Sequence, residues 1–308
     1  MSLIVTGTVG IDTVETPAGE KREGVLGGSC AYFAAAAQQH TTVRVVAAVG
    51  DDFPPEHRQQ LERYANIDLD GLETRSGSKT FRWGGKYLDN MDQRETTFTD
   101  LNVLVEEPPA IPDGYRDSRS VFLANTHPAV QLGMLEQLPD RRLAVADTMD
   151  LWIETARPEL EALCGKVDGL VLNFDEAEQF TGLKNTVAAA KKILEMGPTF
   201  VVVKKGEHGC LFAIREAHGI GIGAMPAFPT DDVVDPTGAG DTFAGGMMGY
   251  LASQNQTVRS AETLKTALAH GTVMASFTIE TFSLERLSSL NADQLGERFE
   301  TFADMLRL

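Results

Sequence analysis

From residue 120 onward the sequence alternates between short apolar segments typical of strands and longer segments with helical periodicity. The predicted strands cover residues 120–124, 143–147, 170–173 and 200–204, and intervening segments such as 128–138 have helical spacing. Strands separated by helices pair in parallel through right-handed crossovers, so the pattern predicts a mainly parallel α/β sheet. Ligands of such sheets bind beyond the carboxyl ends of the strands.

The rest of the chain supplies further elements of the same kind. Apolar segments at 3–8 and 43–49 predict two more strands. A proline pair predicts the start of a helix that ends at about residue 64. Helical periodicity at 261–275 and at 291–308 predicts two C-terminal helices, of which the last is amphipathic.

A turn rich in glycine lies within residues 232–243, between a short apolar strand end and an apolar helix predicted over 242–253. Unpaired N–H groups at a helix N-terminus attract anions, and Gly238 and Gly240 lack a Cβ that would keep an anion away. Asp241 adds a carboxylate to this positive site. A base beside an anion site is what phosphoryl transfer to a hydroxyl requires. The alternative is an ordinary turn whose Asp caps the helix.

The string Asp-Pro-Thr-Gly-Ala-Gly-Asp-Thr-Phe at 235–243 resembles the C-terminal signature of the PfkB (ribokinase-like) family of carbohydrate and nucleoside kinases. Two glycines that open an alanine-rich helix at 27–37 resemble the N-terminal signature of that family. The resemblance implies one α/β domain over 1–308, a three-layer ribokinase-like fold with a mainly parallel central sheet. Segments at about 12–26 and 78–100 would be inserted as a small β-sheet lid.

The same resemblance implies the activity. We expect ATP-dependent phosphorylation of a hydroxymethyl group on a small sugar, with Asp241 as general base and the turn Gly238, Ala239 and Gly240 as anion hole. A nucleoside kinase of the same family is the alternative. A non-catalytic relative that keeps the fold is a third reading, although such a protein would be expected to lose the Gly-Ala-Gly-Asp turn, which is intact here.

Residues at the N-terminal signature are implied to bind the acceptor. Asp12 falls where the family places an acid that holds substrate hydroxyls, and a carboxylate can accept two hydrogen bonds from a diol. Gly27 and Gly28 open the following helix. Many members carry Asn four positions beyond the second glycine, where it contacts the sugar, and this chain has Tyr32 there. An aromatic side chain at that wall could stack on a nucleobase or only fill space beside a small sugar.

Two further segments are implied to bind ATP and Mg²⁺. Asn173 and Glu176 match the N-x-x-E motif, in which the glutamate holds magnesium through water and the asparagine lies near the phosphates. A helix N-cap is the alternative reading. Lys205, Gly206 and Gly209 resemble the T-x-G-x-x-G nucleotide segment, with lysine in place of the usual threonine.

The family also implies a monovalent cation such as K⁺ at Asp235 and Thr237. Within the helix that follows the signature, Gly245 and Gly246 indicate tight packing against a neighbouring element or the nucleotide.

The segment predicted to form the lid has a different residue pattern from the α/β part of the chain. Aromatic and charged residues alternate over 79–105 and predict two strands around a polar turn at 88–93. A lid excludes water, so that the activated phosphate reaches the acceptor. Each of its aromatic and basic side chains could bind substrate, pack within the lid or form a dimer contact. These side chains are Arg82, Trp83, Tyr87 and Arg94. The lid would pair across a two-fold axis in a homodimer or cover its own site.

The amino-acid composition limits the kinds of binding partner and the cellular compartment to be expected. The net charge of −17 repels polyanions, which argues against nucleic acid and leaves a nucleotide site dependent on local donors, helix N-termini and cations. No apolar run reaches the roughly 18 residues of a membrane span, and no secretory signal is visible. Three widely spaced cysteines, at 30, 164 and 210, fit a reducing compartment. We therefore expect a cytoplasmic protein that acts on a small molecule.

Overall fold

The computed structural model describes residues 2–89, 91 and 93–307. Its strands are β1 Ser2–Thr6, β2 Gly10–Glu15, β3 Lys21–Gly27, β4 Thr42–Gly50, β5 Ile67–Arg75, β6 Phe81–Tyr87, β7 Arg94–Asp100, β8 Ser120–Leu123, β9 Leu143–Asp147, β10 Gly169–Asn173, β11 Phe200–Lys204, β12 Cys210–Glu216 and β13 Gly219–Met225. Its helices are α1 Ser29–Ala37, α2 Pro55–Glu62, α3 Pro128–Glu136, α4 Asp150–Thr155, α5 Arg157–Cys164, α6 Phe174–Thr181, α7 Thr186–Glu195, α8 Ala239–Ser253, α9 Ala261–Thr278, α10 Glu285–Ser288 and α11 Ala292–Met305.

The main sheet has nine strands in the order β13-β12-β11-β10-β9-β8-β1-β4-β5. Neighbours from β11 to β5 pair in parallel, and only β12 and β13 add antiparallel strands at one edge. The mainly parallel α/β sheet predicted from the strand and helix alternation is therefore confirmed.

Helices cover both faces of this sheet because its strands are apolar on both sides. On β8, Phe122 belongs to one buried layer with α1, α8 and α9, whereas Val121 and Leu123 belong to the other layer with α3, α5, α6 and α7. Successive side chains of a strand point to opposite faces, so each strand contributes to both layers. The result is the three-layer arrangement expected from the sequence. Within the described residues, no helix is both long and apolar enough to cross a membrane.

A second sheet of four strands, in the order β3-β2-β6-β7, lies outside the main one. Strands β2 and β6 pair in parallel, and β3 and β7 pair antiparallel on either side of them. Both predicted lid segments supply its strands. The polar turn predicted at 88–93 includes Asn90 and Asp92, which lie outside the described residues.

Several predicted boundaries were wrong. Helix α8 begins at Ala239 and not at Thr242, because Gly238 takes a left-handed conformation and caps the helix. The predicted strand end at 232–234 forms no strand; the N–H of Val234 instead donates to the carbonyl of Ile279 at the end of α9 (2.8 Å). The last helix ends at Met305, and the predicted terminal residue 308 lies outside the described part of the chain.

Helix α8 packs very closely on α1 and α9. A Cβ on Gly245 would lie 2.4 Å from the carbonyl oxygen of Phe33 in α1. A Cβ on Gly246 would lie 2.7 Å from the carbonyl oxygen of His270 in α9. Both glycines therefore serve the helix–helix contact, which is the first of the two alternatives that their position in the sequence left open.

The variant Gly245→Ala should destabilise the protein by about 1–3 kcal/mol, because the added methyl group meets backbone atoms that cannot move aside. The matched variant Gly296→Ala in α11 adds the same methyl group where nothing lies within 4 Å. It should stabilise the protein by up to about 1 kcal/mol through helix propensity. Urea unfolding of both variants tests the close contact, and an equal response would contradict it.

Candidate active site

Three polar residues end three neighbouring parallel strands. Asp147, Asn173 and Lys204 are the last residues of β9, β10 and β11, and Asn173 pairs in register with Lys204. Because carboxyl ends of parallel strands share one edge, these side chains meet at the edge where ligands of such sheets bind.

The N-terminus of α8 lies at this same edge, next to Lys204. Gly238 has φ 75° and caps the helix. The N–H of Ala239 is already bonded to the carbonyl of Pro236 (3.1 Å). The N–H groups of Gly238, Gly240 and Asp241 donate to no described residue. The amides free to bind an anion are thus those of the two glycines and of Asp241, and not that of Ala239.

Asp241 stands in the first turn of α8 and is half-buried. Burial raises the pKa of its carboxyl, and the positive charges of Lys204 and Arg94 oppose that rise. Within the described residues its carboxylate accepts no hydrogen bond, so both oxygens are available. A carboxylate with a raised pKa is a stronger base than one in water.

Asp147 was not singled out in the sequence, where it reads only as a strand end. It is 6% exposed, and its Oδ1 has no hydrogen-bond partner among the described residues. Burial raises its pKa well above the usual value, and the negative charge of Asp241 adds to that effect. An acid at the carboxyl end of a predicted parallel strand was the signal that could have found it.

Asn173 and Glu176 form a reciprocal cap at the start of α6. The N–H of Asn173 donates to Glu176 Oε2 (2.7 Å), and the N–H of Glu176 donates to Asn173 Oδ1 (2.8 Å). Burial raises the pKa of Glu176 to about 6, while Lys204 opposes the rise. The capping role considered for the motif is therefore present, and Glu176 Oε1 is left without a described partner.

The nucleotide segment connects β11 to β12. Gly206 lies in a single 3₁₀ turn, and Gly209 has φ 76° with its backbone against the carbonyl of Met225. The sequence analysis put Lys205 at the threonine position, but T-x-G-x-x-G counted back from Gly206 puts that position at Lys204. Lys204 is the last residue of β11, and its charge acts on Asp147, Glu176 and Asp241.

Asp12 lies on β2 and is 4% exposed. A Cβ on Gly27 would come 1.9 Å from Asp12 Oδ2, so only glycine leaves room for this carboxylate. Asp12 Oδ1 has no described partner. Burial raises its pKa to about 7 despite a hydrogen bond from the backbone of Gly28, and the charges of Asp235 and Asp241 add to the rise.

Tyr32 supports the glycine turn from below. It is 1% exposed, and a Cβ on Gly238 would lie 2.3 Å from its ring. Its hydroxyl has no described partner, and burial raises its pKa well above 10.

Asp235 lies in the turn before α8. Its Oδ1 accepts a hydrogen bond from the N–H of Thr237 (2.9 Å), while its Oδ2 is buried without a partner in the described chain.

Besides Asp12, two further side chains of the four-stranded sheet reach the site. Tyr87 is buried and shares a hydrogen bond with the hydroxyl of Thr237 (3.1 Å). Arg94 lies over the ring of Trp83 (5.7 Å from guanidinium carbon to ring centroid), and its charge acts on Asp241. The fourth candidate, Arg82, is paired with Asp52 instead.

Comparisons with known proteins identify the family. The model of the pfkB family carbohydrate kinases matches residues 139–289. The cytidine kinase of Thermococcus kodakarensis is 31% identical over 258 residues, which are 81% of this chain and 88% of that protein. The chain belongs to the PfkB family of carbohydrate kinases.

Solved structures show the fold of this PfkB protein. A nucleoside kinase of Methanocaldococcus jannaschii has a TM-score of 0.75 at 18% identity, covering 97% of this chain and 98% of that one. The ribokinase of Giardia lamblia has a TM-score of 0.80 at 16% identity, covering 98% and 99%. The predicted ribokinase-like fold is confirmed.

As a PfkB member the protein is a phosphotransferase of the sugar and nucleoside kinases, a family that uses ATP, and the predicted enzyme class is confirmed. Within the described residues no group of three or more His, Cys, Asp or Glu side chains could hold a metal ion by itself.

The acid Asp12 allows a test through stability. Its pKa is 3.8 unperturbed and about 7 in the fold. The folded state therefore holds a proton that the unfolded state releases, and stability falls as pH rises through this window. Asp12→Asn cannot lose a proton. The free energy of unfolding of Asp12→Asn minus that of wild type should therefore be up to about 4 kcal/mol larger at about pH 8 than at about pH 4.

Urea unfolding of Asp12→Asn at these two values and at about pH 6 measures this difference. The matched control is Asp231→Asn, which makes the same replacement at an exposed acid. A stability difference for Asp12→Asn that stays constant with pH would contradict the raised pKa.

Proposed function

We propose that this kinase transfers the γ-phosphoryl group of ATP to the primary hydroxyl of a nucleoside, with Asp241 as general base. The observation that carries the proposal is the first turn of α8. There a half-buried carboxylate without hydrogen bonds stands beside three unbonded N–H groups.

Each group has a defined task. The hydroxyl oxygen of the acceptor forms a bond to the γ-phosphorus while the bond from that phosphorus to the leaving diphosphate breaks. Asp241 accepts the proton that the hydroxyl loses. The N–H groups of Gly238 and Gly240 bind the charge on the transferred group, as helix N-termini do. This refines the anion hole predicted from the sequence, because Ala239 donates to Pro236.

Asp147 at the end of β9 and Glu176 in the first turn of α6 fit Mg²⁺ bound together with ATP. Glu176 supplies a carboxylate oxygen and Asp147 a buried oxygen without a partner in the described chain. Magnesium prefers one or two carboxylates, with phosphates and water completing its shell. When bound, it neutralises charge on the phosphates, which Asp147 and Glu176 alone would repel. Asn173, Gly206 and Gly209 flank the same edge and would contact the nucleotide.

A monovalent cation fits the turn before α8. Asp235 Oδ2 is buried without a described partner, while Asp235 Oδ1 accepts a hydrogen bond from the N–H of Thr237. A buried unpaired carboxylate oxygen is costly, and a bound K⁺ would offset that cost.

The acceptor would lie between the two sheets, with the four-stranded sheet as its lid within one kinase domain. Asp12 Oδ1 and the Tyr32 hydroxyl are buried without described partners, and both could bind hydroxyl groups of a ribosyl moiety. Gly27 and Gly28 leave the space that Asp12 needs.

Two observations favour a nucleoside over the free sugar that the sequence placed first. One relative, 31% identical over 81% of this chain, is a cytidine kinase. Trp83 lies flat on the lid, where a Cβ on Gly85 would be 2.1 Å from its ring, and it is only half-buried. A base could stack on this ring in place of the Arg94 guanidinium, which lies over it 5.7 Å from the centroid. A free sugar is the second candidate, because the family description names carbohydrate kinases.

The test is ADP release with Mg-ATP across nucleosides, pentoses, hexoses and ketohexoses, with and without K⁺. Turnover of a nucleoside supports the proposal, and turnover of sugars alone would assign the second candidate. If ATP does not bind, the proposal that the protein transfers a phosphoryl group from ATP is wrong.

The variant Asp241→Asn should lower kcat by roughly 10²–10⁴-fold, because the amide cannot accept the hydroxyl proton. ADP should bind it about as well as it binds wild type. The matched control is Asp232→Asn, which removes an exposed acid nine residues earlier and should retain turnover. Unchanged kcat in Asp241→Asn would refute the assignment of the base.

A further inference from the structure

Lys204 lies against the anion-binding turn. It is the last residue of β11, and a Cβ on Gly240 would lie only 2.6 Å from its Nζ. The ammonium therefore occupies the space that any larger residue at position 240 would need. It reaches the turn from the sheet, whereas the N–H groups reach the same place from the helix.

The ammonium has no partner of its own. Among the described residues it makes no hydrogen bond, and no carboxylate lies within 4.0 Å of it. Its positive charge nevertheless acts on three acids. It opposes the rise in pKa that burial causes in Asp147, Glu176 and Asp241. A half-buried lysine that stands among acids without pairing with any of them is placed for an anion between them.

A purely structural role explains these observations less well. A lysine that only neutralised the acids would be expected to form an ion pair with one, since the attraction between opposite charges grows as their distance shrinks. Lys204 instead stays at the turn. There its ammonium and the N–H groups of Gly238 and Gly240 can act on one oxyanion from two directions.

We propose that Lys204 is a catalytic residue whose ammonium binds the terminal phosphoryl group of the nucleotide. The inference rests on the proposed function. The lysine contributes a full positive charge to a protein of net charge −17, where a tetra-anionic nucleotide needs local cations. It binds the equatorial oxygens as charge develops on them and gives up no proton.

The experiment measures binding without turnover. Calorimetry with Mg²⁺ compares ADP with the β,γ-methylene analogue of ATP, which has the terminal phosphate but cannot transfer it. In Lys204→Met, affinity for the analogue should fall roughly 10- to 100-fold, as expected for a lost hydrogen bond to a charged group. Affinity for ADP should change less than about threefold.

Three further variants sharpen the result. Lys204→Arg keeps a charge at the turn and should restore part of the analogue affinity. Lys205→Met tests the neighbouring lysine, which the sequence analysis placed in the nucleotide segment. Lys191→Met removes an exposed charge on α7 and should bind both ligands as wild type does. Thermal melting of each variant confirms that it is folded.

The outcomes are distinct. Loss of analogue binding alone in Lys204→Met, with a fall in kcat, supports the inference. Equal loss of ADP and analogue would overturn it, because the lysine would then act on the fold or on another phosphate. Loss in Lys205→Met but not in Lys204→Met would assign the role to Lys205. If wild type binds the analogue while Lys204→Met is unaffected, only this inference fails; if wild type binds neither ligand, the proposed function fails with it.

Discussion

The contact between α1 and α8 is the constraint on which the site depends. Along the helices, glycines of α8 let the two backbones approach, as Gly245 shows against Phe33. At their N-terminal ends the same pair meets through Tyr32 and Gly238, so the helix contact also fixes the turn that carries Asp241. A bulky residue in this contact would move the N–H groups and the carboxylate of Asp241 together. Packing and chemistry are thus specified by one interface.

The site concentrates negative charge in a place where burial penalises it. Asp12, Asp147, Asp235 and Asp241 all have raised pKa values, and burial is the largest cause for each. Burying carboxylates without full pairing costs stability, which a fold tolerates where ligands later supply the missing partners. Under the proposed function, acceptor hydroxyls and cations would bind at the unpaired oxygens of these acids. The same groups would then lower the stability of the fold and bind its ligands.

The architecture could largely be predicted from local patterns. Parallel strands flanked by helices were evident because their apolar runs are short and bounded by polar turns. Strands β5 and β13 were missed for a physical reason. Ile67–Arg75 carries acids along an edge strand, and Gly219–Met225 alternates glycine with isoleucine, so neither shows an apolar run. Edge strands gain their stability from a neighbour that the local sequence does not contain. Similarly, the start of α8 was misplaced because the cap depends on the conformation of Gly238.

The site was predictable where it is contiguous and not where it is assembled. The string at 235–243 located the carboxylate of Asp241 and the glycine turn, since a helix N-terminus needs only local residues. Asp147 could not be recognised in that way, because it joins the other residues through strands that are neighbours only in the sheet. Lys204 could have been found, because T-x-G-x-x-G counted back from Gly206 puts the threonine position at residue 204. Its closeness to Gly240 depends on how α8 packs against the strand ends, which no local pattern contains.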